Sequence, residues 1–569
     1  MTKDSRESRP ARPSGFLGVV ERVGNVLPDP FWLFVILGGV VLVLSWIGSV
    51  AGLSADDPQS GKTIHIENLL SSNGLSRIVT ETVTNYTSFP PLGLIITVML
   101  GVAVAEHSGL ISAVVRAMVA RVGPRTLTFA VALAGVTGSV ASDAVYVILI
   151  PLGAMSFRAL GRSPIVGAMV AFAASSAGFN ASLVLNVTDV LLGGISTSAA
   201  QLVDPDYAVS PLANYFFVVV VSSFILAGII TAVTELFVDR KAHELVDHDL
   251  ISYEEVSIAN APGNTAGSGD SAGSGDGGET GDGADGAESG ASRDKARDTA
   301  ERDKTREDLH ADLALDRTEV RGLAATGVAA LILAAVYAAL LTIPGSPLRG
   351  PGGSIMDSPL ISDVAVPIAI GFFLLGLVYG AVTGTVRSAS DLPEMMARGI
   401  RTLLPMLVLF FAISQFLAWF QWSNIGSWLA VRGSELLQSW HLPTVLLFAG
   451  FVLLVTVLNL LITSGSAQWA LMAPVIVPMM MYLGVSPEAT QMLYRIGDSP
   501  TNIITPMSPY FALALTFLQR YYRPAGVGTL MSLAIPFSVS MLVGWFIAFV
   551  VWWALGIPLG PGSPMSYPA

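Results

Sequence analysis

The chain has no cysteine, which excludes disulfides, thiolate metal sites, iron–sulfur clusters and a cysteine nucleophile. It also has little charge: 13% of its 569 residues are Asp, Glu, Lys or Arg, about half of the roughly 25% usual in soluble domains. That scarcity excludes a nucleic-acid binder and a chain disordered throughout. No G-x-x-x-x-G-K-[ST] loop occurs, which disfavours direct ATP drive, and no H-E-x-x-H zinc motif occurs. The charge that exists is unevenly placed. Of the net −12, residues 241–317 hold 19 acidic and 8 basic residues, or −11, which leaves −1 for everything else.

What is abundant is apolar sequence, 52% of the residues. Seven runs reach the roughly 20 residues that a helix needs to cross hydrocarbon: Phe31–Leu53, Leu92–Val115, Leu212–Val238, Val320–Ile343, Ile361–Val386, Thr402–Ala430 and Val527–Leu555. Pro164–Ser196 and Ser486–Arg523 are long enough to cross but are interrupted by Gly, Asn and Pro. Pro124–Phe157 and Pro443–Tyr482 carry polar clusters at mid-length, Ser139–Asp143 and Thr463–Gln468. Each reads as one long helix or as two short helices meeting at a polar tip, and the re-entrant hairpin is the favoured reading, since polar backbone at membrane depth needs protein or a wet cavity around it. The expected fold is therefore an all-α polytopic membrane protein with nine transmembrane helices and two re-entrant hairpins. The expected parts are a cytoplasmic N-terminal segment (1–30), a first membrane half (31–240, hairpin 124–157), an acidic insert (241–317), a second half (318–556, hairpin 443–482) and a tail (557–569).

Loop charge orients these spans. With the N-terminus in the cytoplasm, Arg116, Arg121, Arg158, Arg162, Arg240, Lys241, Arg387, Arg398 and Arg520 fall on the cytoplasmic side, as the positive-inside rule requires. Asp56, Asp57, Glu67, Asp204 and Asp206 fall outside, and the C-terminus ends outside. The apolar run after the basic N-terminal segment lacks a small-residue cleavage site and reads as an uncleaved span. The Gly-, Ser- and Asp-rich stretch 256–310 cannot bury enough surface to offset its ordering entropy and is expected to be a disordered cytoplasmic loop. Its Gly269-Asp-Ser-Ala-Gly273 matches G-x-S-x-G, but without a flanking strand and helix the match carries no chemistry.

The two halves resemble each other. At an offset of 323 residues, Ser142–Pro164 lies on Gly465–Pro487 with 6 of 23 positions identical, including Pro151/Pro474 and the turn Leu160-Gly-x-Ser-Pro164/Leu483-Gly-x-Ser-Pro487, while Tyr146 meets Trp469. A Gly/Asn/Pro-broken segment follows in both copies, Gly178–Asp189 and Gly497–Pro506. The loop charges orient the copies oppositely. Inverted repeats with interrupted helices at matching positions mark the binding site of a secondary transporter. Bare N–H ends of such helices can hold an anion and bare C=O ends a cation.

Several residues in these breaks can carry chemistry, each with a plainer alternative. Arg495 and Asp498 stand at i, i+3 and are expected to pair on one helix face, whether that pair is structural or leaves Arg495 to bind a carboxylate through its planar fork and Asp498 to titrate. Asp189 can cap the next half-helix or serve coupling, and Asp143 reads as an N-cap at the first tip. Asn180, Asn459, Asn502, Ser464, Ser466 and Thr501 can coordinate sodium or only satisfy freed backbone groups. Trp469 can anchor at an interface or stack on a substrate ring. His107 can relay protons, and Met479–Met481 is most simply packing.

The segments Val23-Gly-Asn-Val-Leu-Pro-Asp-Pro-Phe-Trp-Leu-Phe34, Ser464-Gly-Ser-Ala-Gln-Trp469 and Tyr494-Arg-Ile-Gly-Asp-Ser-Pro-Thr-Asn502 resemble the AbgT family of p-aminobenzoyl-glutamate transporters over the whole chain outside the acidic insert. The resemblance implies a homodimer in the bacterial cytoplasmic membrane, nine helices and two hairpins per protomer, and an elevator-like shift as in the related dicarboxylate/ion transporters. It implies no cofactor, a proton or sodium as coupling ion, and either import of the folate breakdown product p-aminobenzoyl-glutamate or efflux of sulfonamide-type antimetabolites. The family-important positions that carry over are Asp189, Asn459, Ser466, Trp469, Pro487, Arg495, Asp498 and Pro506. Two readings from other classes stand beside it. An intramembrane hydrolase would need a base that Ser466 lacks nearby, and a channel would show flux without gradient-driven accumulation.

Overall fold

The computed structural model describes residues 28–58, 61–119, 122–123, 125–141, 144–245, 315–355 and 358–568. The N-terminal segment up to residue 27, the core of the acidic insert, and Asp143 with its expected cap lie outside the described residues. The rest is mostly helical. In chain order the helices are α1 (Pro30–Val50), α2 (Ser72–Thr87), α3 (Pro90–His107), α4 (Leu110–Val119), α5 (Leu127–Gly138), α6 (Ala144–Ala159), α7 (Pro164–Phe172), α8 (Val187–Ala200), α9 (Ser223–Val233), α10 (Arg317–Thr342), α11 (Ala365–Thr383), α12 (Asp391–Trp422), α13 (Ile425–Ser439), α14 (Thr444–Asn459), α15 (Gly465–Tyr482), α16 (Pro487–Asp498), α17 (Pro509–Tyr521) and α18 (Val527–Ala554). A two-stranded antiparallel ribbon, Ser54–Asp56 with Thr63–His65, follows α1.

Seven helical stretches among the described residues are long and apolar enough to cross a membrane. Each overlaps one of the seven apolar runs. α10 shows why they need lipid: Val328, Leu331 and Ile332 are exposed on it, and an apolar helix with so little protein cover is stable only in an apolar solvent. Both polar-tipped segments break into two helices, α5/α6 around Ser139–Ala141 and α14/α15 around residues 460–464. Both interrupted crossings break too, α7/α8 across residues 178–186 and α16/α17 across residues 499–508.

Three boundaries differ from the sequence expectation. The run Leu92–Val115 is not one helix: α3 stops at His107 and Gly109 (φ +88°) turns the chain into α4. The run Thr402–Ala430 joins two helices, since α12 ends at Trp422 and Asn424 (φ 58°) starts α13. α2 was not anticipated, because its polar and apolar residues alternate around the helix and leave no apolar run. It packs on α12, where Asn85 donates to Gln415 (3.0 Å) and Tyr86 to the Leu407 carbonyl (3.1 Å).

The helices pack as two bundles. α1, α2, α3, α10, α11 and α12 contact one another; α5–α9 and α14–α18 form the second set. α3 against α8, α13 against α15, and α4, which touches α3, α10 and α11 on one side and α5 and α6 on the other, join them. Within the second bundle the outgoing hairpin arm α6 and the limb α7 touch through glycine. A Cβ at Gly153 would lie 2.6 Å from the Gly167 carbonyl, and one at Gly167 would lie 2.3 Å from that of Gly153. The first hairpin is thus locked to the first broken helix by backbone contact.

Candidate functional site

Each break leaves polar backbone inside the second bundle, and the side chains around it are chosen to satisfy it. α8 begins with a reciprocal cap. Asn186 Oδ1 accepts the Asp189 N–H (3.1 Å) and Asp189 Oδ2 accepts the Asn186 N–H (2.8 Å), so the N-cap is Asn186 and Asp189 is its partner three residues on. The remaining oxygen of Asp189, Oδ1, lies 2.7 Å from Arg495 Nη1, with both side chains buried. The pairing expected between Arg495 and Asp498 therefore does not form. The i, i+3 rule compares positions on one helix, and a facing carboxylate from the other half supplies the better geometry. Arg495 Nη1 also reaches the Asn180 carbonyl at 3.4 Å.

That leaves Asp498 without a salt bridge among the described residues, with the Arg495 charge and the Tyr494 hydroxyl nearby. Its Oδ2 accepts from Asn180 Nδ2 at 2.8 Å, and its Oδ1 is buried with no hydrogen-bond partner. The tip of the second hairpin rests on it: a Cβ at Gly465 would come within 3.2 Å of Asp498 Oδ2. Asn459, at the end of α14, turns its amide to the Asp498 carbonyl, to Thr501 Oγ1 (2.8 Å) and to Asn502 Oδ1 (2.9 Å). The side-chain oxygens Oδ1 of Asn180 and Asn459 are buried without a donor among the described residues. Buried acceptors left without donors cost free energy, and oxygens of this kind are ligands for a hard cation.

A cavity of about 430 Å³ opens beside this group, between the two bundles. Met99, Thr402, Leu403 and Met406 of the first bundle form one wall. Asn180, Thr188, Ser464, Gly465, Ser466, Tyr494, Asp498, Asn502 and Tyr510 of the second form the other. Among the described residues no Lys or Arg lines it. The lining includes Ser, Thr and Tyr hydroxyls and the first two residues of α15, Gly465 and Ser466, where a helix N-terminus favours an anion.

The other carried-over residues sit behind or beside this wall. Trp469 is wholly buried, stacked on Tyr494 with centroids 4.5 Å apart, so it does not present a face to the cavity here. It supports Tyr494 from behind, and Tyr494 in turn donates its hydroxyl to the Gly465 carbonyl at the hairpin tip. The indole N–H begins a buried chain: it donates to Ser196 Oγ (3.0 Å), Ser196 to Gln491 Oε1 (2.7 Å), Gln491 to Asn214 Oδ1 (2.9 Å) and Asn214 to the Glu488 carbonyl (3.0 Å). Tyr207 caps the outer end by donating to the Glu488 carboxylate (2.9 Å). Burial, and then the facing Glu488, push the Tyr207 phenol well above its ordinary range, so it remains a donor. Pro487 opens α16 after the N-cap Ser486, roughly 16 Å along the helix from Asp498. Pro506 lies in the break, half-buried and off the cavity wall. His107 turns Nδ1 to the Ala103 carbonyl of its own helix (2.9 Å). Sequence reasoning overlooked the Ser196–Gln491–Asn214 chain and the tyrosines; the Tyr146/Trp469 match in the repeat was the one available signal.

The sequence profile of the AbgT putative transporter family matches residues 15–258 and 295–567. The chain belongs to the AbgT family. It is 34% identical over 546 residues, 96% of each chain, to the p-aminobenzoyl-glutamate transport protein of Escherichia coli (strain K12). It is similar to two solved structures. One is the Alcanivorax borkumensis YdaH transporter, described as having an unusual topology (36% identity, TM-score 0.79, 94% of this chain and 100% of that one). The other is Neisseria gonorrhoeae MtrF, described with a class of antimetabolite efflux pumps (37% identity, TM-score 0.82, 97% and 100%). This AbgT-family chain is a multi-pass membrane transporter and not an enzyme. The profile match skips 259–294, inside the acidic insert.

Proposed function

We propose that this chain is a secondary active transporter that couples a proton or sodium ion to an aromatic carboxylate of the p-aminobenzoyl-glutamate type. It would act as a homodimer in the bacterial cytoplasmic membrane, N-terminus inside and C-terminus outside. The observation that carries the reading is Asp498: a buried carboxylate on the cavity wall whose Oδ1, like Oδ1 of Asn180 and of Asn459, has no hydrogen-bond donor among the described residues. A proton on Asp498, or a sodium ion among these oxygens, removes the cost of the buried charge and makes the cavity fit for an anion. Solute carboxylates then meet Thr188, Ser464, Ser466 and the N-terminus of α15. Arg495 and Asp189 neutralise each other behind the wall and tie the two broken helices together. Asn502 orders Asn459. The cavity lies between the two bundles, which supports a sliding of one bundle against the other as the transport step.

A second reading is export of sulfonamide-type antimetabolites by the same site, favoured by the similarity to MtrF. Direction follows from the ion gradient, so one experiment addresses both. Purified protein in proteoliposomes is given an imposed proton or sodium gradient and labelled p-aminobenzoyl-glutamate or a sulfonamide. The expected result is saturable accumulation of the carboxylate driven by one of the two gradients. Movement of the sulfonamide alone would favour the exporter. Non-saturating flux without accumulation, or none above protein-free vesicles, would overturn the transporter mechanism.

A further inference from the structure

The cavity contains a second aromatic arrangement that the carried-over positions do not include. Tyr146, in the first turn of α6, and Tyr510, in the first turn of α17, stack face to face with centroids 4.0 Å apart and planes within 10°. Both line the cavity. They come from different halves of the chain. Tyr146 is buried, and its hydroxyl donates to the Ser175 carbonyl at 3.3 Å, which fixes its ring. Tyr510 is half-buried. At the repeat offset Tyr146 is the equivalent of Trp469, and each of these rings stacks on a tyrosine of the second broken helix, Trp469 on Tyr494 and Tyr146 on Tyr510. The two stacks differ in access. Trp469 is sealed, whereas Tyr146 and Tyr510 both reach the cavity.

We propose that the Tyr146–Tyr510 stack is the aryl subsite of this transporter, the surface on which the flat ring of an aromatic carboxylate adds to two rings already in place. This rests on the reading of the cavity as the solute site. Aromatic faces favour offset stacking at centroid distances of about 4.5–7 Å, and a preformed pair presents its face without an ordering cost. The same cavity is also lined by the hydroxyl-bearing Thr188, Ser464 and Ser466 and by Gly465 at the start of α15. A solute that carries both a ring and carboxylates therefore finds a partner for each in one cavity.

The test compares Tyr510→Phe, Tyr510→Leu, Tyr146→Phe and Tyr146→Leu with wild type in proteoliposomes. Uptake of labelled p-aminobenzoyl-glutamate is measured, with an aliphatic N-acyl-glutamate and an aromatic benzoyl-glutamate as competitors. The Phe variants keep the ring and are expected to hold KM within about twofold. The Leu variants are expected to raise KM for the aromatic solute roughly 3- to 10-fold, the worth of one aromatic contact, with the maximal rate little changed and the aliphatic competitor's inhibition constant unmoved. Leu variants with wild-type KM, or with both competitors weakened equally, overturn the subsite while leaving the transport reading intact. Wild-type protein that neither takes up nor is inhibited by any of these solutes overturns both. If a Leu variant fails to fold, the Tyr510→Phe and Tyr146→Phe pair decides: an aromatic KM raised beyond twofold with loss of the hydroxyl alone contradicts recognition by the ring face.

Discussion

At the exit of each hairpin the chain makes one turn twice. Leu160 to Pro164 and Leu483 to Pro487 have the same glycine in the left-handed region, Gly161 at φ +74° and Gly484 at φ +81°. The same three backbone hydrogen bonds recur at the 323-residue offset: Leu160, Gly161 and Arg162 donate to Phe157, Arg158 and Phe157, and Leu483, Gly484 and Val485 to Met480, Met481 and Met480. Ser163 and Ser486 are both N-caps, each followed by a proline at the first helical position. Beyond the prolines the copies part. Where the second half has Arg495 and Asp498, the first has Phe172 and Ser175 at the same offset, all four buried. The first limb closes with a wide π-turn at Ala173–Ala177, the second with a tight 3₁₀ turn at Ser499–Thr501. The repeat thus preserves the turn that places a broken helix, while the limb after it carries Arg495 and Asp498 in the second copy only. Asp189 of the first copy then reaches across to neutralise Arg495 of the second, which ties the halves together.

The largest effect that would test this division comes from Arg495. Arg495→Ala leaves Asp189 buried and unpaired, a loss of about 3–5 kcal/mol for a broken buried pair, and is expected to collapse the yield of folded protein. Adding Asp189→Leu should restore much of it. Arg495→Lys keeps the charge but not the fork, and is expected to fold while losing most gradient-driven uptake. Phe172→Leu in the other copy should cost far less, measured by the same thermal unfolding and uptake assays. Wild-type uptake by Arg495→Lys would refute the need for a planar group there.

A smaller effect separates the two buried tryptophans. Trp469 donates to Ser196 and Trp545 to Ser222. Ser196→Ala and Ser222→Ala each strand an indole N–H, for about 1–3 kcal/mol, so both should lower the unfolding temperature similarly. Uptake should fall in Ser196→Ala, because that chain supports Tyr494 at the cavity, and should stay near wild type in Ser222→Ala. Smallest of all, Gly161→Ala and Gly484→Ala should each cost about 1–2 kcal/mol for an L-residue in the left-handed region. A loss confined to one of them in thermal unfolding would mean that the two turns are not equivalent in the folded protein.

Much of this organisation is legible in the sequence. Apolar runs locate the long helices, and Gly, Asn and Pro locate both breaks, because these residues end helices for local reasons. Polar residues at mid-run locate the hairpin tips for the same reason. What depends on distant parts of the chain is not legible. Spacing suggested Arg495–Asp498, while the actual partner, Asp189, is brought across by packing. Spacing alone allows Asp189 as an N-cap, but Asn186 three residues earlier holds that position and Asp189 completes the box. Trp469 invites a role in stacking on solute, yet the fold seals it behind Tyr494 and presents Tyr146 and Tyr510 instead. Amphipathic α2 and α13 escape a search for apolar runs because half of each helix faces protein or water.

If coupling is concentrated in Asp498 of one copy, the most direct measurement compares Asp498→Asn with Ser175→Ala in proteoliposomes under the gradient that drives wild-type uptake. The prediction is that Asp498→Asn still exchanges labelled solute across the bilayer but no longer accumulates it, while Ser175→Ala accumulates it near the wild-type level. Gradient-driven accumulation by Asp498→Asn at the wild-type level would contradict the account.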